Sequence, residues 1–196
     1  MLLKSETHLR ISVGFLLLVV WFAFVNGWEL LAMIVAAAAL HELGHLGMLR
    51  LLGVRVLALR IGIFGAVLEA DCRNLSYSGE LAAVLAGPAV NLLCACLLAY
   101  FVPEQELFIG IHLVLGGFNL LPIRPLDGGR GLELLLTWLF GPFWGESVSR
   151  WIGAAAALLL AVFLGWLMKA TGGSLWLLPA MAGLLGTVGR EAFGKG

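Results

Sequence analysis

Charge is scarce along this chain of 196 residues: Asp, Glu, Lys and Arg make up 12% of it, against about 25% in an ordinary soluble domain. What charge there is balances at 12 basic and 12 acidic residues. No basic face is left to hold nucleic acid, and that class of function is excluded. Cysteine occurs only as Cys72, Cys94 and Cys96. Residues two apart fall on different helix faces, so this set suits neither a zinc ribbon nor a disulfide framework and reads as small apolar packing. The run "ISVGFLLLVVWFAFV" at 11–25 has no small-residue cleavage site and leads into a second apolar run, so no cleaved signal is expected. Internal repeats and a domain-sized soluble insertion are both missing, and residues 1–196 are expected to form a single membrane-embedded domain.

Apolar sequence is what the chain has in excess. Hydrophobic residues make up 61% of it and the mean hydropathy is +1.02. A soluble core of this size needs less, so the surplus must face lipid. The expected fold is an all-α polytopic membrane protein with about six spans, each near the ~20 residues that cross a bilayer. They lie near 11–26, 30–52, 80–102, 107–122, 151–168 and 174–189, with a weaker stretch at 131–145 read as an interfacial helix carrying Trp138 and Trp144. Between the second and third spans, 26 residues rich in β-branched side chains, with Gly62 and Gly65 among them, predict a short strand-like hairpin on the cytoplasmic side. With both termini in the cytoplasm this layout puts 11 of the 12 basic residues inside and only Lys169 outside.

Polar residues inside an apolar helix therefore need a reason. In "HELGH" at 41–45, His41 and His45 stand four apart, about 40° apart around a helix axis, so both imidazoles can reach one point. Neutral imidazoles suit zinc, and Glu42 is placed to act as general base on a water at such an ion. Ionisable groups at membrane depth cost roughly 2.5 to 3.5 kcal/mol each, which makes three within five residues hard to explain as filler.

Such a centre needs a third protein ligand and an open position. Asp71 sits in the loop before the third span, whereas Asp127 follows Pro122 and Pro125 and precedes a glycine pair in "NLLPIRPLDGGR" at 119–130. Irregular backbone at that depth is tolerated where it lines a polar cavity, which places Asp127 beside the site. Glu133 is its rival, on the expected interfacial helix and facing water. His112 reads as a packed membrane histidine and His8 as a solvated terminal one. Asn91, an amide in hydrocarbon, needs a partner.

In three places the chain resembles the site-2 protease family of intramembrane zinc metalloproteases: HELGH at 41–45, "AGPAVN" at 86–91 and NLLPIRPLDGGR at 119–130. The resemblance covers roughly residues 30–135 and comes nearest to the branch of stage IV sporulation protein FB. It implies His41, His45 and Asp127 as ligands of Zn²⁺ and Glu42 as the catalytic acid/base. Asn119 and Pro125 are implied as parts of the loop shaping the substrate channel, with Asn91 a further candidate there. The expected reaction is hydrolysis of a peptide bond in or near a transmembrane segment of a membrane-tethered protein. For the sporulation branch that substrate is a sigma-factor precursor in the bacterial membrane around a forespore, with inhibitory membrane partners possible. That branch usually carries a C-terminal CBS domain and other members a PDZ-like insert, neither of which this chain is expected to have. A metal transporter and a non-catalytic membrane scaffold are the competing classes. Repeated halves with broken helices, expected of a transporter, are not seen, and no span offers a G-x-S-x-G turn for a serine-type enzyme.

Overall fold

The structure, a computed structural model, describes residues 8–62, 65–170, 184–186 and 188–189. In chain order these form β1 (His8–Ile11), α1 (Val13–Asn26), α2 (Trp28–Leu51), β2 (Val56–Gly62), β3 (Gly65–Ala70), α3 (Tyr77–Phe101), α4 (Glu106–Asn119), α5 (Asp127–Phe140) and α6 (Pro142–Ala170). Two compact units divide between residues 118 and 119.

In the first unit, local chemistry starts and stops each helix. The Ser12 hydroxyl caps α1 by accepting from the Phe15 N–H at 3.1 Å, and Gly27, at φ 89°, ends α1 in a conformation that L side chains rarely adopt. α2 starts at the next residue and runs for 24, about 36 Å at 1.5 Å per residue, enough to cross a bilayer. Ser76 caps α3, accepting from the Gly79 N–H at 3.2 Å. α3 continues through Pro88 for 25 residues without breaking, as membrane helices allow. It packs on α2 where small residues meet: a Cβ on Gly44 would lie 2.7 Å from the Ala86 carbonyl oxygen, so only glycine lets the two backbones come this close. Ala37, Ala83, Val84 and Ala95 are buried, while Phe24, Tyr100 and Phe101 are widely exposed, an arrangement suited to a lipid surround.

The sheet of this unit has the order β1-β2-β3. β2 and β3 form the expected antiparallel hairpin, braced by an Arg60–Glu69 ion pair at 2.8 Å, and β1 joins β2 in parallel. β1 is a correction to the all-α expectation for the N-terminal end. "HLRI" is only four residues long, too short for a periodic signal, and pairs with residues about fifty positions away.

In the second unit, residues 120–126 are irregular and lead into α5, which turns into α6 at Gly141, φ 85°. A Cβ on Gly145 would overlap Thr137, so these two helices also cross closely. Gly153, Ala154, Ala157 and Ala161 give α6 its buried face.

Among the described residues three helices, α2, α3 and α6, are long and apolar enough to span a membrane. α1 and α4 are apolar but have 14 residues each, about 21 Å against a ~30 Å hydrocarbon core. The fourth expected span ends early at Asn119. The stretch at 131–145 divides at Gly141: α5 starts earlier, at Asp127, and Trp144 belongs to α6, which takes in the fifth expected span. The sixth, 174–189, lies outside the described residues except for 184–186 and 188–189, which are helical. The molecule is mostly helical and carries the apolar helices of a membrane protein.

Candidate metal centre

One turn of α2 separates His41 from His45, and their Nε2 atoms lie 3.1 Å apart with the rings nearly perpendicular at 82°. A tetrahedral ion with metal–nitrogen bonds of 2.0–2.1 Å holds two nitrogens about 3.3 Å apart. The pair is thus already close to the span such an ion requires. His45 Nδ1 lies 2.8 Å from the Ala83 carbonyl oxygen. A carbonyl only accepts, so Nδ1 carries the proton and the Nε2 lone pair of the neutral ring is presented to His41. Two lone pairs at that distance repel unless a proton or cation lies between them.

The opposing wall is Gly87 of α3. A Cβ there would overlap His45 Nε2 and would sit 2.6 Å from His45 Cε1 and 2.8 Å from His41 Nε2. Residue 87 thus lies against both imidazoles, a placement that the sequence reading of Gly87 as part of a kink did not reach. The Gly-Pro pair in "AGPAVN" reads as a kink, and nothing local in the sequence shows which helix lies opposite. Glu42 follows His41 on α2 and is half-buried. One turn beyond Gly87, Asn91 is fully buried and its amide finds no hydrogen-bond partner among the described residues. A Cβ on Gly116 of α4 would come within 3.2 Å of Asn91 Cβ, so α4 covers it closely. His112 is also fully buried, edge-on to Phe108 with ring centroids 4.7 Å apart, and takes no place among the potential metal donors.

Asp127, in the second unit, is the first residue of α5, where the helix dipole favours a negative side chain. The segment before it is folded tightly. Ile123 N–H donates to the Leu121 carbonyl at 2.7 Å, Leu126 N–H to that of Ile123 at 2.8 Å, and the Arg124–Pro125 peptide is cis. A Cβ on Gly129 would lie 2.6 Å from the Ile123 carbonyl carbon and 2.7 Å from Arg124 N, and one on Gly128 would overlap Leu120. The glycine pair after Asp127 thus gives the preceding loop room to lie against the first turn of α5. Asn119 is the last residue of α4, and Pro125 stands two residues before Asp127. Glu133, the sequence rival for Asp127, forms an ion pair with Arg124 rather than facing water alone. Asp71 is likewise engaged: two 2.7 Å hydrogen bonds from Arg73 hold its carboxyl at about 2, down from 3.8. Of the three expected ligands, His41 and His45 are brought together in the first unit, and Asp127 stands in the second, at the start of α5.

No protein-family model matches the chain. In sequence it is 28% identical over 172 residues to a zinc metalloprotease of Methanocaldococcus jannaschii, an alignment covering 81% of this chain and 50% of that one. It is 31% identical over 157 residues to Rip3 of Mycobacterium tuberculosis, named as a candidate zinc metalloprotease, covering 74% of this chain and 38% of that one. A protein of Synechocystis, also named as a candidate zinc metalloprotease, is 30% identical over 156 residues, covering 74% and 39%. The chain thus spans half or less of the length of these relatives. The site-2 protease from Methanocaldococcus jannaschii superposes with a TM-score of 0.67 at 24% identity, over 100% of this chain and 94% of that one. This chain is similar in sequence to zinc metalloproteases, and its fold is that of a site-2 protease.

Proposed function

We propose that this protein is an intramembrane zinc endopeptidase, hydrolysing a peptide bond in or near a transmembrane segment of a membrane-tethered protein. One observation carries the reading: within the first unit His41 and His45 hold their Nε2 atoms 3.1 Å apart against Gly87, two imidazole donors set for one ion, and Asp127 is the carboxylate that the motif resemblance supplies as third ligand. Two neutral imidazoles and a carboxylate are a catalytic zinc donor set, leaving a fourth position for water or substrate. The similarity to zinc metalloproteases supports the same ion.

When bound, zinc supplies a positive charge that polarises a peptide carbonyl and acidifies a nearby water. The remaining work belongs to the chain. The Ala83 carbonyl holds the His45 ring in the tautomer that offers Nε2, and Gly87 leaves both rings room. Glu42 takes a proton from the attacking water as the bond to the carbonyl carbon forms, then returns it to the departing amine as the peptide bond breaks. Asn91 offers amide hydrogen bonds to an unwound substrate backbone, and Asn119 and Pro125 border the channel through which that segment arrives. His41 lies 13 residues into α2, about 20 Å along it. With the N-terminus cytoplasmic, as the distribution of basic residues favours, that depth is past the middle of the bilayer and within reach of cytoplasmic water. The narrower reading, a sigma-factor precursor cut in the membrane around a forespore under control of inhibitory membrane partners, rests on the position of HELGH after one preceding apolar helix.

The test is co-expression with single-span membrane proteins, a sigma-factor precursor among them. Wild type should convert a substrate that accumulates uncut with Glu42→Gln, while the variant still binds one equivalent of zinc. Continued cleavage by Glu42→Gln would overturn the assignment of Glu42, and absence of bound zinc from wild type would overturn the metalloprotease reading.

A further inference from the structure

Asp127 must be held still to serve as a ligand, yet it follows a segment with no regular secondary structure. The two glycines after it bring that segment's backbone against α5 without adding a side chain that could pin it. An ion pair spans the segment. Arg124, three residues before Asp127, forms an ion pair with Glu133, six residues after it on α5. Both side chains are about one-third exposed, at 33% and 31%. At that burial an ion pair is screened less than a surface pair, and losing one partner leaves a poorly solvated charge. The chain from 124 to 133 is thereby closed into a loop with Asp127 inside it.

We propose that the Arg124–Glu133 pair is a positioning device for Asp127, fixing its carboxylate for metal binding. This rests on the metal-centre reading above. Neither residue touches the ion; both act through the backbone that carries Asp127, as outer partners of metal ligands commonly do. Glu133 is then neither a rival ligand nor a solvated surface acid.

The test uses the full chain in detergent, titrated with Co²⁺ and with Zn²⁺ against a chromophoric chelator. Wild type should take up one Co²⁺ with the intense visible bands of four-coordinate geometry. Arg124→Gln should weaken those bands and lower zinc affinity about 10- to 100-fold, the usual cost of removing an outer partner. The exchanged pair Arg124→Glu/Glu133→Arg should regain most of the loss, and it serves as the probe if the single variant does not fold. In an Asp127→Asn background, Arg124→Gln should cause no further loss, because residues acting through one group are non-additive. A wild-type spectrum and affinity in Arg124→Gln would overturn the proposal, and so would an equal further loss in the Asp127→Asn background or failure of the exchanged pair to recover. If wild type itself binds neither ion, the metal-centre reading fails, and the positioning role with it.

Discussion

The α2–α3 seam and the segment at 119–133 solve the same problem, fixing a polar side chain in place, by opposite means. In the seam regular structure does the work. Helical periodicity sets His41 over His45, a carbonyl of the neighbouring helix orients one ring, and Gly87 provides the space. At 119–133 the backbone leaves the helix, and short turns, a glycine pair and one ion pair hold it instead. The difference teaches that a helix places a side chain at little local cost, whereas irregular backbone must be fastened by particular contacts. The two regions should therefore fail differently when altered.

The sharpest contrast comes from glycine. Gly87→Ala forces a methyl into both imidazoles, so zinc affinity should fall by about 100-fold or more and proteolysis should vanish, while helix content by circular dichroism stays near wild type. Gly129→Ala instead drives a methyl into the backbone of residues 123 and 124. Strain of that kind costs about 1–3 kcal/mol, so thermal unfolding in detergent should shift down together with metal affinity. A Gly87→Ala protein that binds zinc normally, or a Gly129→Ala protein as stable as wild type, would erase the distinction. A smaller effect is expected at the start of α3. Ser76→Ala removes an N-cap worth about 1 kcal/mol, lowering the unfolding midpoint but leaving the cobalt spectrum unchanged.

Asp71 should show the smallest effect. Its folded value of about 2 lies below the ordinary 3.8. The favourable interaction with Arg73 is thus fully present above 3.8 and is lost as pH falls through about 2. The pair is exposed, so global stability should hardly respond. A carboxyl-carbon NMR titration should place the Asp71 midpoint near 2 in wild type and move it up toward 3.8 in Arg73→Ala. An unmoved midpoint would remove Arg73 as the cause.

How far these features could be read in advance follows the range of the forces involved. The histidine pair was legible because i, i+4 spacing on a helix is a local rule, and the β2–β3 hairpin because a β-branched run punctuated by Gly62 and Gly65 is a local signal too. The α5–α6 boundary at Gly141 and Pro142 was also written locally, as a glycine at the end of one helix and a proline at the start of the next, but the apolar run across it hid the break. β1 was not legible: its partners are far away in sequence. The pairing of Glu133 with Arg124 was hidden for a related reason, since a charged side chain on an amphipathic helix looks solvated until the chain before it folds back.

By itself the sequence determined that this chain is rich in membrane-spanning length, that two imidazoles and a carboxylate flank one another along a helix, and that an aspartate follows two prolines. Periodicity and backbone chemistry act over a few residues and leave their pattern in the order of letters. Only the tertiary structure decided that Gly87 lies against both rings, that the Ala83 carbonyl selects the His45 tautomer, and that Arg124 reaches Glu133. Each of those depends on which surfaces meet when the chain packs, and close packing is a property of the folded shape that no local pattern encodes.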